Sequence, residues 1–191
     1  MEIGKALHVT NRKQWRSWLS KHHMSEEDIW LVYYKIESGK RRIPYNDAVE
    51  EALCYGWIDS LAKPRDKESW VQRFSPRRKN SPLSEMNKER VRRLIKSGKM
   101  TRYGLERIRH HMDGMSAKTQ KLKKFTLPGD ILQQIGSDPV VWRNFKKFPA
   151  AYKRIRVGWI DGSRNHPKIF AQRLRYFIKM TARNKKFGMV Q

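Results

Sequence analysis

Apolar residues recur along this chain in two rhythms. Trp15, Trp18 and Leu19 fall at helical spacing behind Thr10 and Asn11, both good N-cap residues, so residues 11–22 read as an amphipathic helix. The run DIWLVYYKIES is β-branched and aromatic and closes on GKRR, the pattern of a strand followed by a turn. After Pro44, Asn46 or Asp47 can cap a helix whose Ala48, Val49, Ala52 and Leu53 share one face, with Gly56 at its end. WIDSLAKP and SWVQRFSP read as two strands joined by the charged turn RDKE, and WIDS is short enough to fit either rhythm. The segment PRRKNSPLS is irregular and leads to Ser84, which caps a helix in EMNKERVRRLIKSGK with Val91, Leu94 and Ile95 turned inward. Thr101 opens a further helix to about Met112, closed by Gly114.

From Ser116 to Lys124 the chain turns polar and lysine-rich, with few residues able to build a core. Beyond it the period is helical only, in PGDILQQIG, DPVVWRNFKKF, PAAYKRIRVGWID and PKIFAQRLRYFIKMTA, each opened by or next to a proline. The predicted class is therefore α+β. A small mixed N-terminal domain with a short sheet packed by helices (1–115) precedes a basic linker (116–127) and a small all-α, basic C-terminal domain (128–191).

Charge changes this picture more than size does. The 191 residues are 38% apolar, enough for a core, but 43 Lys and Arg stand against 18 Asp and Glu, a formal +25. Residues 116–191 hold 18 of those cations and only three acids. A field of that sign attracts polyanions and phosphorylated or carboxylated small molecules and repels cations. Cys54 is the one cysteine, so no internal disulfide forms, and its apolar surroundings suit a buried thiol in a reducing cytoplasm. No signal-peptide pattern and no run of 18 apolar residues occurs, so no transmembrane segment is expected.

Specific chemistry is sparse. One Cys and six His supply no metal-ligand spacing, and the doublets His22-His23 and His110-His111 point in different directions on a helix. No dinucleotide or phosphate-loop signature and no nucleophile elbow occurs, so no cofactor, metal or catalytic motif is expected and enzymatic activity stays undecided. Two features remain. In RFSPRRKNSPLSEMN, Arg73, Arg77 and Arg78 stand beside Ser81, Ser84 and Asn87 on a loop entering a helix, a supply of donors for an anionic oxygen. Equally, Ser84 can simply cap its helix while the arginines form a solvated face. Asp59, between Ile58 and Ser60, needs a cation if it is buried; Arg73 or Arg77 can supply it, in a structural pair or in a site.

The runs WRSWLSKHH, IWLVYYK, IPYNDAVEEALCYGWIDS, RFSPRRKNSPLSEMNKERV and LIKSGKMTRYGLERI, spanning residues 10–114, resemble the YdeI/OmpD-associated, or bacteriocin-protection, family of bacterial proteins. FPAAYKRIRVGWI is similar to that family's last segment, while Leu83 stands where the family usually has tryptophan. The resemblance implies a link to envelope stress or to protection from bacteriocins and cationic peptides, and no biochemical activity. Sequestration of a cationic peptide by a +25 chain is disfavoured by charge, so the role it implies is indirect.

The residues taken together predict a cytoplasmic protein that binds an anionic small molecule or phosphate group. Its pocket would lie where YGWIDS meets RFSPRRKNS. Arg73, Arg77 and Arg78 would grip the anion, Ser81, Ser84 and Asn87 would donate hydrogen bonds, Trp57 would form an apolar wall, Asp59 would orient the arginines, and Lys35 would add charge. Two other classes stay open: a nucleic-acid-binding protein working through the basic C-terminal helices, and an enzyme using Asp59 or Tyr45 as acid or base on a phosphorylated or carboxylated metabolite.

Overall fold

A computed structural model describes residues 2–79, 81–111 and 126–188. The chain separates into two compact units. One runs to Pro82 and resumes at Arg90; the other takes Leu83–Glu89 and the helices that follow residue 126. Most of the predicted linker lies outside the described residues.

The first unit is built on a four-stranded sheet of order β1-β2-β4-β3, comprising β1 (Ala6–Leu7), β2 (Ile29–Tyr34), β3 (Trp57–Pro64) and β4 (Ser69–Pro76). β1, two residues long and parallel to β2, carries too little pattern to be read from sequence. The hairpin of β3 and β4 is antiparallel, as is the pairing of β4 with β2. Register sorts the side chains by face. Ile29, Leu31 and Tyr33 stand opposite Phe74, Gln72 and Trp70, and Asp59 is also opposite Phe74, so all of these share one face. Trp30, Val32, Val71 and Arg73 take the other.

Helices cover the first face. α1 (Arg12–His22) starts at Asn11, whose side chain accepts from the Gln14 N–H as an N-cap should. It buries Trp15 and Leu19, with the Trp15 ring edge-on to Phe74 at 5.5 Å. α2 (Tyr45–Cys54) begins directly after Pro44 and buries Ala48, Val49, Ala52 and Leu53. The indole N–H of Trp15 donates to the Ala48 carbonyl at 3.0 Å, tying α1 to α2. Arg12 and Arg16 add ion pairs to Asp47, Glu50 and the buried Glu51. Gly56 closes α2 at φ +68°, the left-handed conformation that glycine adopts without penalty.

α3 (Glu85–Lys96) follows the loop after β4, and Ser84 Oγ accepts from the Asn87 N–H as the predicted cap. α4 (Arg102–Ile108) is capped by Thr101 and passes into a single 3-10 turn at Arg109–His111; the expected end at Met112 and Gly114 lies outside the described residues. Thr101 donates both its N–H (3.1 Å) and its hydroxyl (2.6 Å) to the Cys54 carbonyl at the end of α2.

The second unit is helical, as predicted: α5 (Gly129–Gly136), α6 (Pro139–Lys147), α7 (Ala150–Asp161) and α8 (Pro167–Ala182). Ile131, Ile135, Val141, Phe145, Tyr152, Val157, Ile160, Leu174 and Phe177 form its core. Asp138 caps α6 through the N–H groups of Val140 and Val141, with Pro139 at the first helical position. The Asn144 amide donates to the carbonyls of Thr181 and Ala182, satisfying the C-terminal end of α8.

Candidate functional site

The polar groups of the first unit gather where β3, the start of α2 and the end of β4 meet. Asp59 comes from β3 immediately before a bulge: register shifts between Asp59 and Ala62. That irregularity ends regular pairing at the carboxylate, a common device for re-aiming a side chain. Tyr45, the first residue of α2, donates its hydroxyl to Asp59 Oδ2 at 2.5 Å. Burial, and then the bond to Asp59, push the Tyr45 hydroxyl well above the ordinary tyrosine range. Tyr45 therefore keeps its proton across the physiological range and acts as a donor.

Arg77 lies just beyond β4, its backbone N–H bonded to the Gly56 carbonyl at 2.9 Å. Its side chain is 1% exposed. Nη2 donates to the carbonyls of Ser81, at 3.1 Å, and Pro82. Nε and Nη1 are buried with no hydrogen-bond partner among the described residues. Burial lowers the Arg77 pKa, partly offset by the charge of Asp59. A guanidinium stays charged under such a shift, so the three N–H groups of these two nitrogens are desolvated donors.

Two further groups feel the same carboxylate. Tyr33, on the Asp59 face of the sheet, has a buried hydroxyl without a partner, and its pKa is raised by burial, then by Tyr45 and Asp59. Arg90, on α3, is 7% exposed and donates to Asn46 Oδ1 at 2.7 Å. Its pKa is lowered by burial against opposing contributions from Glu50, Tyr45 and Asp59. Glu50 is already held by Arg12 and Arg93. Tyr45, Asn46 and Asp59 are only half-buried, so the cluster reaches solvent on their side.

The predicted site residues are distributed unevenly. The charge of Asp59 acts on Arg77, but no hydrogen bond or ion pair joins the two among the described residues; Asp59 is held by Tyr45 instead. Arg73 lies elsewhere: register puts it opposite Trp30 on the other face, where its Nε and Nη2 grip Asp28 at 2.9 and 2.6 Å. Trp57 is wholly buried, its indole N–H on the His23 carbonyl at 3.1 Å and its ring edge-on to Trp18, so it is a core residue and not an exposed wall. Lys35 follows β2 with an exposed side chain, and Arg78 is exposed beside Arg77. Ser81 contributes its carbonyl rather than its hydroxyl. Ser84 and Asn87 fall in the second compact unit.

Sequence reading passed over Tyr33, Asn46 and Arg90. Arg90 carried a signal: three residues after Asn87 and four before Leu94, it places a cation on the buried stripe of α3. Tyr33 carried a weaker one, alternating with Leu31 on the helix-covered face. Cys54 is buried and its thiol is pushed up to about 11 by burial, then by Glu51, which suits packing and not nucleophilic chemistry. No cluster of metal-ligating side chains occurs among the described residues. Nor is any helix among them long and apolar enough to cross a membrane.

Comparison with known proteins divides the chain along similar lines. A family model described as Domain of unknown function (DUF8412) matches residues 7–107. A second, described as Bacteriocin-protection, YdeI or OmpD-Associated, matches residues 124–184. The YdeI/OmpD-associated likeness thus rests on the helical tail, whereas the resemblance read from sequence lay chiefly on residues 10–114. The tryptophans, Asn-Asp-Ala-Val and Trp-Ile-Asp-Ser runs of that stretch fall under the other model. No curated protein and no solved structure matches the chain.

Proposed function

For a chain that belongs to the family described as Domain of unknown function (DUF8412), with a YdeI/OmpD-associated tail, we propose oxyanion binding by the Arg77 cluster. One observation carries the reading: Arg77 is almost fully buried, yet two of its three guanidinium nitrogens lack a hydrogen-bond partner among the described residues. Burying donors without acceptors costs about 1–3 kcal/mol each, more when they are charged, so such a group points to an acceptor absent from the chain itself. Phosphate and carboxylate oxygens are acceptors for such donors; because the Nε–H lies on the Nη2 side of the guanidinium, Nε and Nη1 would each take a separate oxygen. The buried hydroxyl of Tyr33 is a further donor. Asp59 takes its hydrogen bond from the Tyr45 hydroxyl and not from Arg77. The ligand class is an anionic small molecule bearing phosphate or carboxylate, held in the cytoplasm.

The tail's family description supports a part in bacteriocin protection, and the chain's +25 makes that part indirect, through the bound anion and not through capture of a cationic peptide. Thermal melting in inorganic phosphate, against chloride at matched ionic strength, tests the binding reading. Phosphate is expected to raise the Tm of the unaltered protein and not that of Arg77→Met. Equal shifts in both would remove Arg77 from the site.

A further inference from the structure

The second unit carries a cationic surface that its own acids do not answer. Its acids are all engaged elsewhere: Asp130 and Asp161 with Arg164, Glu89 with Arg154, Glu85 with Lys88, and Asp138 as the cap of α6. α8 holds no acid at all. Positions 168, 172, 175 and 179 recur at helical spacing, so Lys168, Gln172, Arg175 and Lys179 share one face, and all four are exposed. None of the three cations is in an ion pair among the described residues. Pro167, Lys168, Ala171, Gln172 and Arg175 line a shallow, open depression of about 670 Å³ on this face, the short Ala171 making room between longer basic neighbours.

We infer that the exposed face of α8 docks the phosphate backbone of duplex nucleic acid. The charge is complementary, and the geometry is linear: the eleven helical steps from Lys168 to Lys179 rise about 16 Å. Over that length one DNA strand presents about five phosphates. Gln172 adds an amide donor of the kind that bonds phosphate and sugar oxygens. An anionic membrane fits less well. The apolar stripe of α8, with Leu174 and Phe177 buried and Phe170 and Ile178 packed on the same core, has no free face to insert. Ile169 and Tyr176, the half-exposed apolar side chains nearby, are too few, and Tyr176 packs on Phe187 at 4.8 Å.

Binding by backbone contact is sequence-independent and steeply salt-dependent, because each neutralised phosphate releases counterions. Fluorescence anisotropy with a labelled 20-base-pair DNA duplex over a salt series reads the number of contacts. The test variant combines Lys168→Gln, Arg175→Gln and Lys179→Gln. The control removes equal charge from exposed lysines of the first unit, Lys13→Gln, Lys21→Gln and Lys67→Gln, with circular dichroism to show that both fold. The expected result is that the α8 variant loses about 2.7 from the slope of log K against log salt, three contacts at about 0.9 each, and the control loses less than about 1. Arg77→Met should leave the slope unchanged, which separates this surface from the oxyanion site. Equal losses in test and control, no binding to the duplex, or binding only to phosphatidylserine vesicles would each overturn the inference.

Discussion

At the scale of single residues the balance of charge and hydrogen bonding in the Arg77 cluster makes stability and binding trade against each other. Tyr33 buries a hydroxyl with no partner, so Tyr33→Phe is expected to raise stability by about 1 kcal/mol while weakening phosphate binding. Arg77→Met removes a buried cation for an apolar side chain of comparable length, and Tm should hold or rise in chemical or thermal melts. A residue kept only for structure would show the reverse, a loss of Tm with no effect on phosphate. Tyr45 adds a pH signature. Its pKa is raised above the ordinary value of 10, so above about pH 10 the native state binds more protons than the unfolded one. Stability therefore falls as pH rises through that range, the full contribution being present below pH 10. Tyr45→Phe should flatten the alkaline limb of the stability curve, measured by urea denaturation from pH 9 upward. Asp59 was legible as a carboxylate in need of a partner, but the pattern named Arg73 or Arg77 for that role and the structure supplies the Tyr45 hydroxyl, while Arg73 holds Asp28 and Arg77 holds backbone carbonyls. Arg73 was misplaced because one step of register carries a side chain to the opposite face, and register is set by pairing across β2, β3 and β4, not by local pattern.

At the scale of elements, what local pattern encodes was readable. Asn11, Ser84 and Thr101 begin helices for the same reason, a side-chain oxygen set to accept from the first turn, whereas α2 opens after Pro44 with no side-chain cap and not at Asn46 or Asp47. β1 and the sheet order were not readable, since both depend on contacts between segments distant in sequence. The junction of α2 and α4 is of that kind. A Cβ on Gly104 would come within 2.0 Å of the Cys54 carbonyl oxygen, so the two helices approach there backbone to backbone. Gly104→Ala is expected to cost about 3 kcal/mol in denaturant titration, more than its helix propensity alone would return. In the second unit Phe187 lies against Tyr152, Trp159, Tyr176 and Phe177 and under the buried Arg156 guanidinium, 4.6 Å from its ring centre. Phe187→Ala is expected to cost about 2 kcal/mol, through lost packing and lost cation–π contact together.

For the whole molecule the dominant fact is charge, and the acids are too few to neutralise it locally. A formal +25 on 191 residues opposes compaction, so added salt should stabilise the fold where a balanced chain would be indifferent. The same field acts on both proposed anion partners, but differently. Contacts on the exposed α8 face are screened, while the buried fork of Arg77 is largely shielded from salt. The claim on which the functional account turns is that Nε and Nη1 of Arg77 are acceptor-seeking donors. Nitrogen-15 NMR of arginine Nε–H groups reads this atom directly, with the resonance assigned by its loss in Arg77→Lys. On addition of inorganic phosphate, or of succinate in parallel, at constant ionic strength, the account predicts a saturable shift of the Arg77 Nε–H signal. That shift should persist in 0.5 M salt. An Arg77 signal that stays in place through both titrations, while exposed arginines shift in proportion to added anion, would contradict it.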